Sequence, residues 1–382
     1  MVVLIQDNHL FILRLLEFTF QNSSIVEPCR MRGRIMPPSF LHFTVKAVYK
    51  NLKYVYFFDH FIYQTTMKSF FSLSSLFLLI IFSSGCKTNN ISPRKQPVKP
   101  LLFSLNIDPD VLDYAFAADT ISYTIDKNLQ ENSGLLYSRV NLNTLWAEQD
   151  SGNGQFLYLY TTTGHFLKKI KLINTNTHDA EDIAYGPNKK GIYNQIFLAD
   201  IGDNKNSRST VDLYTYDEPI FADTTSIPDQ MTAAKKIRLK YPKILENAEA
   251  LFVDPLTNRI YIFSKAASVS HVYTLDFPYN YSHVNNLKHV GDINVRFQKV
   301  TAADISRDGM NILLKTYDYI LYWRRKPGES LNKIFTRMPV KLPYSPEVQG
   351  EAVAWGKTAD EYYTFSEESH GVIPKLFFYK KK

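Results

Sequence analysis

Cysteine is nearly absent. The 382 residues include two, Cys29 and Cys86, so a disulfide framework or a cysteine metal site is excluded. Long Leu/Ala-rich amphipathic stretches are missing too, which argues against a helical fold. No G-x-S-x-G elbow, Walker loop, H-E-x-x-H or Rossmann fingerprint occurs, so the common signatures of hydrolases, nucleotide binding and zinc proteases are absent. What the chain does have is aromatic and apolar material. Hydrophobic residues make up 45% and aromatics 14%, with 25 Tyr and 26 Phe. Turn residues recur about every ten positions, the pattern of a β-rich protein. The length allows a sizeable core.

The stretch 67–86, "MKSFFSLSSLFLLIIFSSGC", has the layout of a bacterial lipoprotein signal. Lys68 is a short positive region, Ser69 to Ser84 are mostly apolar, and the small residues Ser83, Ser84 and Gly85 precede Cys86. Small side chains suit the cleavage site, and the Cys86 thiol would carry the lipid. A membrane-spanning helix is the other reading, but the apolar core of about 14 residues is short of the ~20 a bilayer requires. Met67 is then the natural start, and residues 1–66 are expected to be an over-extended start. The expected layout is a signal peptide at 67–85, a polar, Pro-containing tether at 86–100 and a folded domain at 101–382. Lys87 after the cysteine favours retention at the outer membrane of a bacterial cell envelope. Without 1–66 and Lys68 the formal charge of +7 falls to +3, from 36 basic and 33 acidic residues. That balance is no nucleic-acid signature.

From about residue 134 a four-beat pattern of short β runs repeats. One unit reads "EDIAYGP", "NQIFLADIGDN", "TVDLYTYDEP" and "KKIRLKYP". The others begin at "SGLLYSRVN", "NAEALFVDP", "TAADISRDG" and "GEAVAWGKT", and the last has only three strands. A lone four-stranded sheet cannot bury both faces, so such units must stack. The expectation is all-β: a single β-propeller of five blades with four antiparallel strands each, closed by an N-terminal strand, "DTISYTI", that completes the last blade. Six blades would follow if 101–130 holds more strand. A two-sheet sandwich would leave the recurring opening motif unexplained.

The openings of first strands and the ends of second strands share one rim of a propeller. Aligned by apolar pattern, Glu181, Glu249 and Glu351 form one column and Asp182 and Asp304 the next, with Ala303 in the Glu column of the fourth unit. Second-strand ends add Glu148, Asp150, Asp200, Asp203, Lys265, Lys315 and Glu367. Glu181, Asp200, Glu249 and Glu351 are therefore expected in one central cluster. Converging carboxylates repel unless something positive sits among them. Lys265 and Lys315 would serve as ion-pair partners, or Ca²⁺ would take the oxygens as ligands. Alternatively the acids bond backbone amides of neighbouring blades and set the pitch. "DIGDN" (200–204) is the densest group of oxygen donors and "QDSGNG" (149–154) is similar; both are short of an EF-hand spacing. His178 is a candidate general base by residue type.

The motifs "NTLWAEQDSG", "DAEDIAYGP", "FLADIGDN", "NAEALFVDP", "VTAADISRDG" and "QGEAVAWG" together resemble a family of secreted bacterial β-propellers, sometimes described as WD40-like. More distantly they are similar to phytase-like esterase propellers and to Ca²⁺-dependent lactonase propellers with acids at the axis. The chain departs from the resemblance at Glu148-Gln149, where a histidine–asparagine type pair is expected. The resulting expectation is a lipid-anchored binding or scaffold module, with Ca²⁺ at the axial rim and an unspecified protein, glycan or small-molecule ligand. The alternative is a metal-dependent hydrolase of phosphoesters or lactones using the same rim. A third reading uses the blade faces as an interaction surface, with Tyr322 and Trp323 showing.

Overall fold

The computed structural model describes residues 2–6, 9–13, 102–108, 116, 120–125, 131–150, 155–243, 246–296, 298–368 and 371–382. The chain forms two compact units, 1–94 and 95–382. In the first, the strands Val2–Gln6 and His9–Leu13 pair antiparallel, with Val2 opposite Leu13. The signal stretch, Cys86, the tether from 86 to 100 and most of the "QDSGNG" loop lie outside the described residues. Among the described residues no helix is long and apolar enough to cross a membrane.

The second unit is a five-bladed β-propeller. Blade 1 is built from Asn132–Tyr137, Thr144–Gln149, Phe156–Thr161 and Phe166–Ile173, paired antiparallel in chain order. Blade 2 uses Ala180–Pro187, Tyr193–Asp200, Val211–Asp217 and Lys235–Lys240. Blade 3 uses Ala248–Asp254, Arg259–Ser264, Val269–Leu275 and Lys288–Asn294. Blade 4 uses Val300–Ile305, Asn311–Thr316, Ile320–Arg324 and Val340–Leu342. Blade 5 has three strands in sequence, Gly350–Trp355, Glu361–Ser366 and Lys375–Lys380, and takes its fourth, Ile121–Thr124, from the N-terminal side. Each first strand packs against the first strands of both neighbouring blades, so these five close a ring.

The burial of each strand follows from its place. First strands are covered on both faces and are buried along their whole length, as in "AEALFVD". Outer strands alternate: "KKIRLK" buries Ile237 and Leu239 and exposes Arg238 and Lys240. Five apolar clusters fill the five gaps between blades. Expecting Tyr322 and Trp323 to show on a surface is incorrect, because both belong to this packing. Trp323 is buried against Phe335, with its indole N–H donating to Arg337 O. Tyr322 lies edge-on to Phe116 and Trp355.

Among its described residues, the segment before blade 1 adds no sixth blade. Phe103–Asn106 joins the outside of blade 3 as a parallel fifth strand. Phe116 enters the core between blades 4 and 5, and Ile125 the core between blades 5 and 1. This strap therefore ties the ring together at three gaps. Removing an aromatic from such a core costs about 3–5 kcal/mol. Phe116→Ala is expected to lower the melting temperature by roughly 6–15 °C, whereas Ile121→Ala, at an exposed strap position, is expected to shift it little; thermal denaturation followed by circular dichroism checks both.

Candidate functional site

Every first strand opens with a β-bulge. The pairing with the second strand skips Ser133, Glu181, Glu249, Thr301 and Glu351 in blades 1 to 5. A bulge re-aims the extra residue out of the regular pleat. All five are polar and all five are buried. Their contacts cross the ring: Ser133 Oγ donates to Glu351 Oε2 at 3.3 Å, and Lys265 Nζ reaches Glu249 Oε2 at 2.5 Å and Glu351 Oε1 at 3.1 Å. Tyr317 Oη also donates to Glu351 Oε1, and Asn247 Nδ2 to Glu249 Oε1 at 3.1 Å. Glu181, Glu249 and Glu351 thus converge with Lys265 at the axis.

The bulge register corrects one column. Thr301, and not Ala303, is the fourth blade's counterpart of Glu181, and Asp304 lies two positions beyond the place of Asp182. The signal that finds this is the distance to the hairpin turn. Ser138, Gly186, Asp254, Ser306 and Gly356 each follow their bulge residue by the same interval, because the strand length between bulge and turn is fixed by the blade. Apolar alternation alone misses it, since a bulge breaks the period.

Burial sets the electrostatics of this ring. Lys265 would be lowered by burial alone, but Glu249 and Glu351 outweigh that and hold it above the usual lysine range, so it is a cation. Glu181 is pushed well above the usual carboxyl range, first by burial and then by Glu249, Asp150 and Asp179. Glu249 rises to about 7, with burial opposed by Lys265. Glu148, on the second strand of blade 1, is fully enclosed, and neither carboxyl oxygen has a hydrogen-bond partner. Burial and then Asp150, Asp182, Glu351 and Glu249 raise it well above the usual range, which favours its neutral form. Its room comes from Gly134, where a Cβ would stand 2.9 Å from Glu148 Cγ.

Beside Glu181 lies a second group. Carboxylate oxygens of Asp150, Asp179 and Glu181 fall within 4.8 Å of one another. Glu181 is 1% exposed, and its Oε1 has no hydrogen-bond partner. The backbone at Gly202 forms the wall: any side chain there would run into Glu181 Oε1 and Asp179 Oδ2. Asp179 is set in place by its main chain. Its N–H donates to Asp200 Oδ1 at 2.9 Å, and its carbonyl accepts from Gly202 N at 3.1 Å. Three close carboxylates with an unpartnered buried oxygen are chemically suited to a hard divalent cation.

The other candidates have different partners. Asp200 is not part of the central cluster; it forms a two-pronged pair with Arg208 Nη1 and Nη2, each at 2.9 Å, and accepts from the His178 and Asp179 amides. Asp203 accepts from Ser207 N and Arg208 N and folds the loop on itself. The "DIGDN" stretch is accordingly a brace closed by Arg208. Asp182 accepts from Ile183 N and, across the gap, from Leu251 N at 2.9 Å. Asp304 does the same with Ile305 N and Trp355 N at 2.8 Å. Both are staples between blades and both are raised by burial, Asp304 to about 7. Lys315 is likewise turned away from the axis. It pairs with Ala302, within the regular ladder, and its Nζ donates to Gly350 O, Thr316 O and Tyr344 Oη, with Glu347 4.0 Å away. Burial lowers it to about 8. His178 is exposed, and its contact is its backbone N–H. Glu367, half-buried, accepts from Gln349 at the edge of the rim.

These shifts fix the sign of a pH effect. Glu148, Glu181 and Glu249 keep a proton in the folded state that the unfolded chain loses above its ordinary value of 4.5. Their contribution to stability is present below that value and is lost as pH rises through the folded-state value of each group, about 7 for Glu249. Glu148→Gln mimics the neutral form. In metal-free buffer its melting temperature is expected to exceed that of the unaltered protein by a few degrees at about pH 8 and to match it near pH 5; melting curves across that range check it.

No protein-family profile and no curated protein matches the chain. Among solved structures it is similar to the hydrazine synthase of Kuenenia stuttgartiensis, at 11% identity over 63% of this chain and 57% of that one, with a TM-score of 0.33. It is similar to a chain of a nidogen/laminin complex at 10% identity over 62% and 72%, with a TM-score of 0.36. An auxiliary nutrient binding protein from Bacteroides thetaiotaomicron gives 11% identity over 69% and 58%, with a TM-score of 0.37. The match thus spans less than two thirds of the hydrazine synthase chain, and none of these likenesses assigns an activity.

Proposed function

We propose that this protein is a lipid-anchored binding module of a bacterial cell envelope, held at the outer membrane, that captures its ligand through Ca²⁺ at the axial mouth of the propeller. The carrying observation is the meeting of Asp150, Asp179 and Glu181 around a buried, unpartnered oxygen. The same rim divides into two halves of different character. Glu249 and Glu351 are bridged by Lys265 and serve as scaffold. Asp150, Asp179 and Glu181 form the half suited to an added cation. Ca²⁺ takes six to eight oxygens, more than three carboxylates fill, so coordination positions remain for the oxygens of a glycan, a carboxylate or a hydroxylated small molecule. Binding would draw the proton from Glu181, which its neighbours already disfavour as an anion in the cation's absence.

The envelope location rests on the sequence ending in Cys86. Each buried methylene contributes about 0.8 kcal/mol, and stable anchoring takes more than one chain, which a diacylated cysteine provides. The even charge balance beyond it supports a partner other than nucleic acid.

Two experiments test these halves separately. Ca²⁺ at a hundredfold excess over its dissociation constant should stabilise the fold by about 2.7 kcal/mol. EGTA is therefore expected to lower the melting temperature of the unaltered protein and to leave an Asp150→Asn, Glu181→Gln variant unmoved. A melting curve indifferent to both Ca²⁺ and EGTA would leave the propeller as a lysine-paired scaffold. For the anchor, Cys86→Ala is expected to abolish lipid labelling and move the protein out of the detergent phase; partitioning equal to the unaltered protein would rule the anchor out.

A further inference from the structure

A second cluster of metal-ligating side chains lies away from the axis, on the outer half of blade 3. His271 is on the third strand of that blade, directly opposite Asp292 on the fourth. His289 precedes Asp292 by three positions, an odd separation that would place the two on opposite faces of a regular strand. The pairing shows why it does not: the register jumps between Val272 and Tyr273, so that Gly291 faces Val272 and His289 faces Tyr273, with Val290 as the extra residue. This bulge returns His289 to the face that carries His271 and Asp292. Val272 points the other way into the core toward blade 4.

The three groups converge on a common point. His271 Nδ1 lies 2.6 Å and His289 Nε2 2.7 Å from the same oxygen, Asp292 Oδ1. The two imidazoles stand edge-to-face, 5.4 Å between centroids. Tyr273 packs at 5.3 Å from the His289 ring and is itself fixed by a hydrogen bond from its hydroxyl to Glu246 Oε1 at 2.7 Å. His271 is anchored by its backbone N–H on Ser264 Oγ at 2.9 Å. The strap strand Phe103–Asn106 pairs alongside the fourth strand, with Ser104 opposite Asp292, so the backbone beneath the cluster is not a free edge. The side chains keep 35%, 26% and 31% exposure for His271, His289 and Asp292, leaving an approach from solvent.

We propose that His271, His289 and Asp292 form a binding site for a borderline divalent transition-metal ion of the Zn²⁺ class, with its remaining coordination position open to solvent. Two imidazoles and one carboxylate are a donor set that zinc uses with an open fourth position. The ligand atoms all lie within 4.8 Å of one another. Bonds of about 2.0–2.1 Å in a tetrahedron separate ligand atoms by roughly 3.3 Å, so the two histidine–aspartate contacts need to open by only about 0.6 Å. Small side-chain rotations supply that while the strands stay put. Nitrogen donors separate this site from the all-oxygen group at the axis: zinc prefers the former and Ca²⁺ the latter.

The test is a Zn²⁺ titration of the full chain by calorimetry in excess Ca²⁺, which occupies oxygen-only sites, with Co²⁺ substitution followed by visible absorption. A single saturable equivalent is expected, together with the d–d bands of a low-symmetry nitrogen/oxygen site. His271→Gln and His289→Gln are each expected to weaken binding by about 100-fold or more, beyond the 10–100-fold typical of losing an outer partner. His283→Gln, an exposed histidine nearby in sequence, serves as the control and should leave affinity intact. Matching circular dichroism and metal-free melting curves would show that the variants fold. Absence of saturable uptake, or uptake that survives the double variant His271→Gln, His289→Gln, would overturn the site and reduce the cluster to a pair of histidine–aspartate hydrogen bonds.

Discussion

Five strands that close a ring around an axis must begin somewhere, and here each begins with one residue too many. The bulge at Ser133, Glu181, Glu249, Thr301 and Glu351 turns a polar side chain out of the pleat at the one place where all blades meet. Apolar residues could not fill that place without presenting a greasy plug to the mouth of the ring. Polar ones bring the opposite difficulty, because the neighbouring blades bury them and buried polar groups need partners. Much of the chemistry at this end of the molecule is a response to that demand. Lys265 bridges Glu249 and Glu351, Tyr317 and Ser133 also donate to Glu351, and burial favours the protonated forms of Glu181 and Glu148.

The same demand is met differently one layer out. Asp182 and Asp304 each span the gap to the next blade and accept a main-chain N–H there. A carboxylate in that role fixes the separation and rotation of adjacent blades, since a shift of a strand by one residue would remove the donor and leave a buried acceptor unmade. Lys315 does the corresponding work with carbonyl oxygens between blades 4 and 5. Inter-blade packing is otherwise apolar and non-directional, so these few polar contacts specify the register that the apolar clusters only favour. The strap through Phe103, Phe116 and Ile125 adds a second, covalent form of closure by carrying the chain from blade 3 to blade 5.

Polar side chains collected by such architecture are available for binding wherever their own structural partners run out. At the axis Lys265 takes up Glu249 and Glu351, whereas Glu181 Oε1 is left without a hydrogen-bond partner. On blade 3 a different bulge brings two imidazoles to one carboxylate. In both places the local device is an extra residue in a strand, which changes the face on which a donor emerges without disturbing the ladder on either side.

Much of the fold was legible in the sequence because blade strands are short and local. Period-two burial in "KKIRLK", continuous apolar runs such as "ALFV", and turns such as "SRDG" are properties of neighbouring residues, and the missing fourth strand of the last unit pointed to "DTISYTI". The convergence of Glu181, Glu249 and Glu351 followed from the repeat itself. What the sequence could not reveal is anything that depends on the number of residues in a bulge or on who stands across a gap. Thr301 hid behind the similarity of "AADI" to "AEDI". Asp200 looked like Glu181 until Arg208 closed on it, and Lys315 looked like Lys265 although the pairing sets it at the place of Phe263, two positions earlier in the blade, where it reaches carbonyls between blades 4 and 5. Asp179 stood in the quoted motif beside Asp182, and only Asp200 and Gly202 decide that it meets Glu181. His271 and His289 carried no pattern at all, since they lie on different strands and share a face only through the bulge at Val290. Residue type and local period thus set the strands, whereas the direction of a side chain at a bulge, and the partner that awaits it, is decided only when the ring closes.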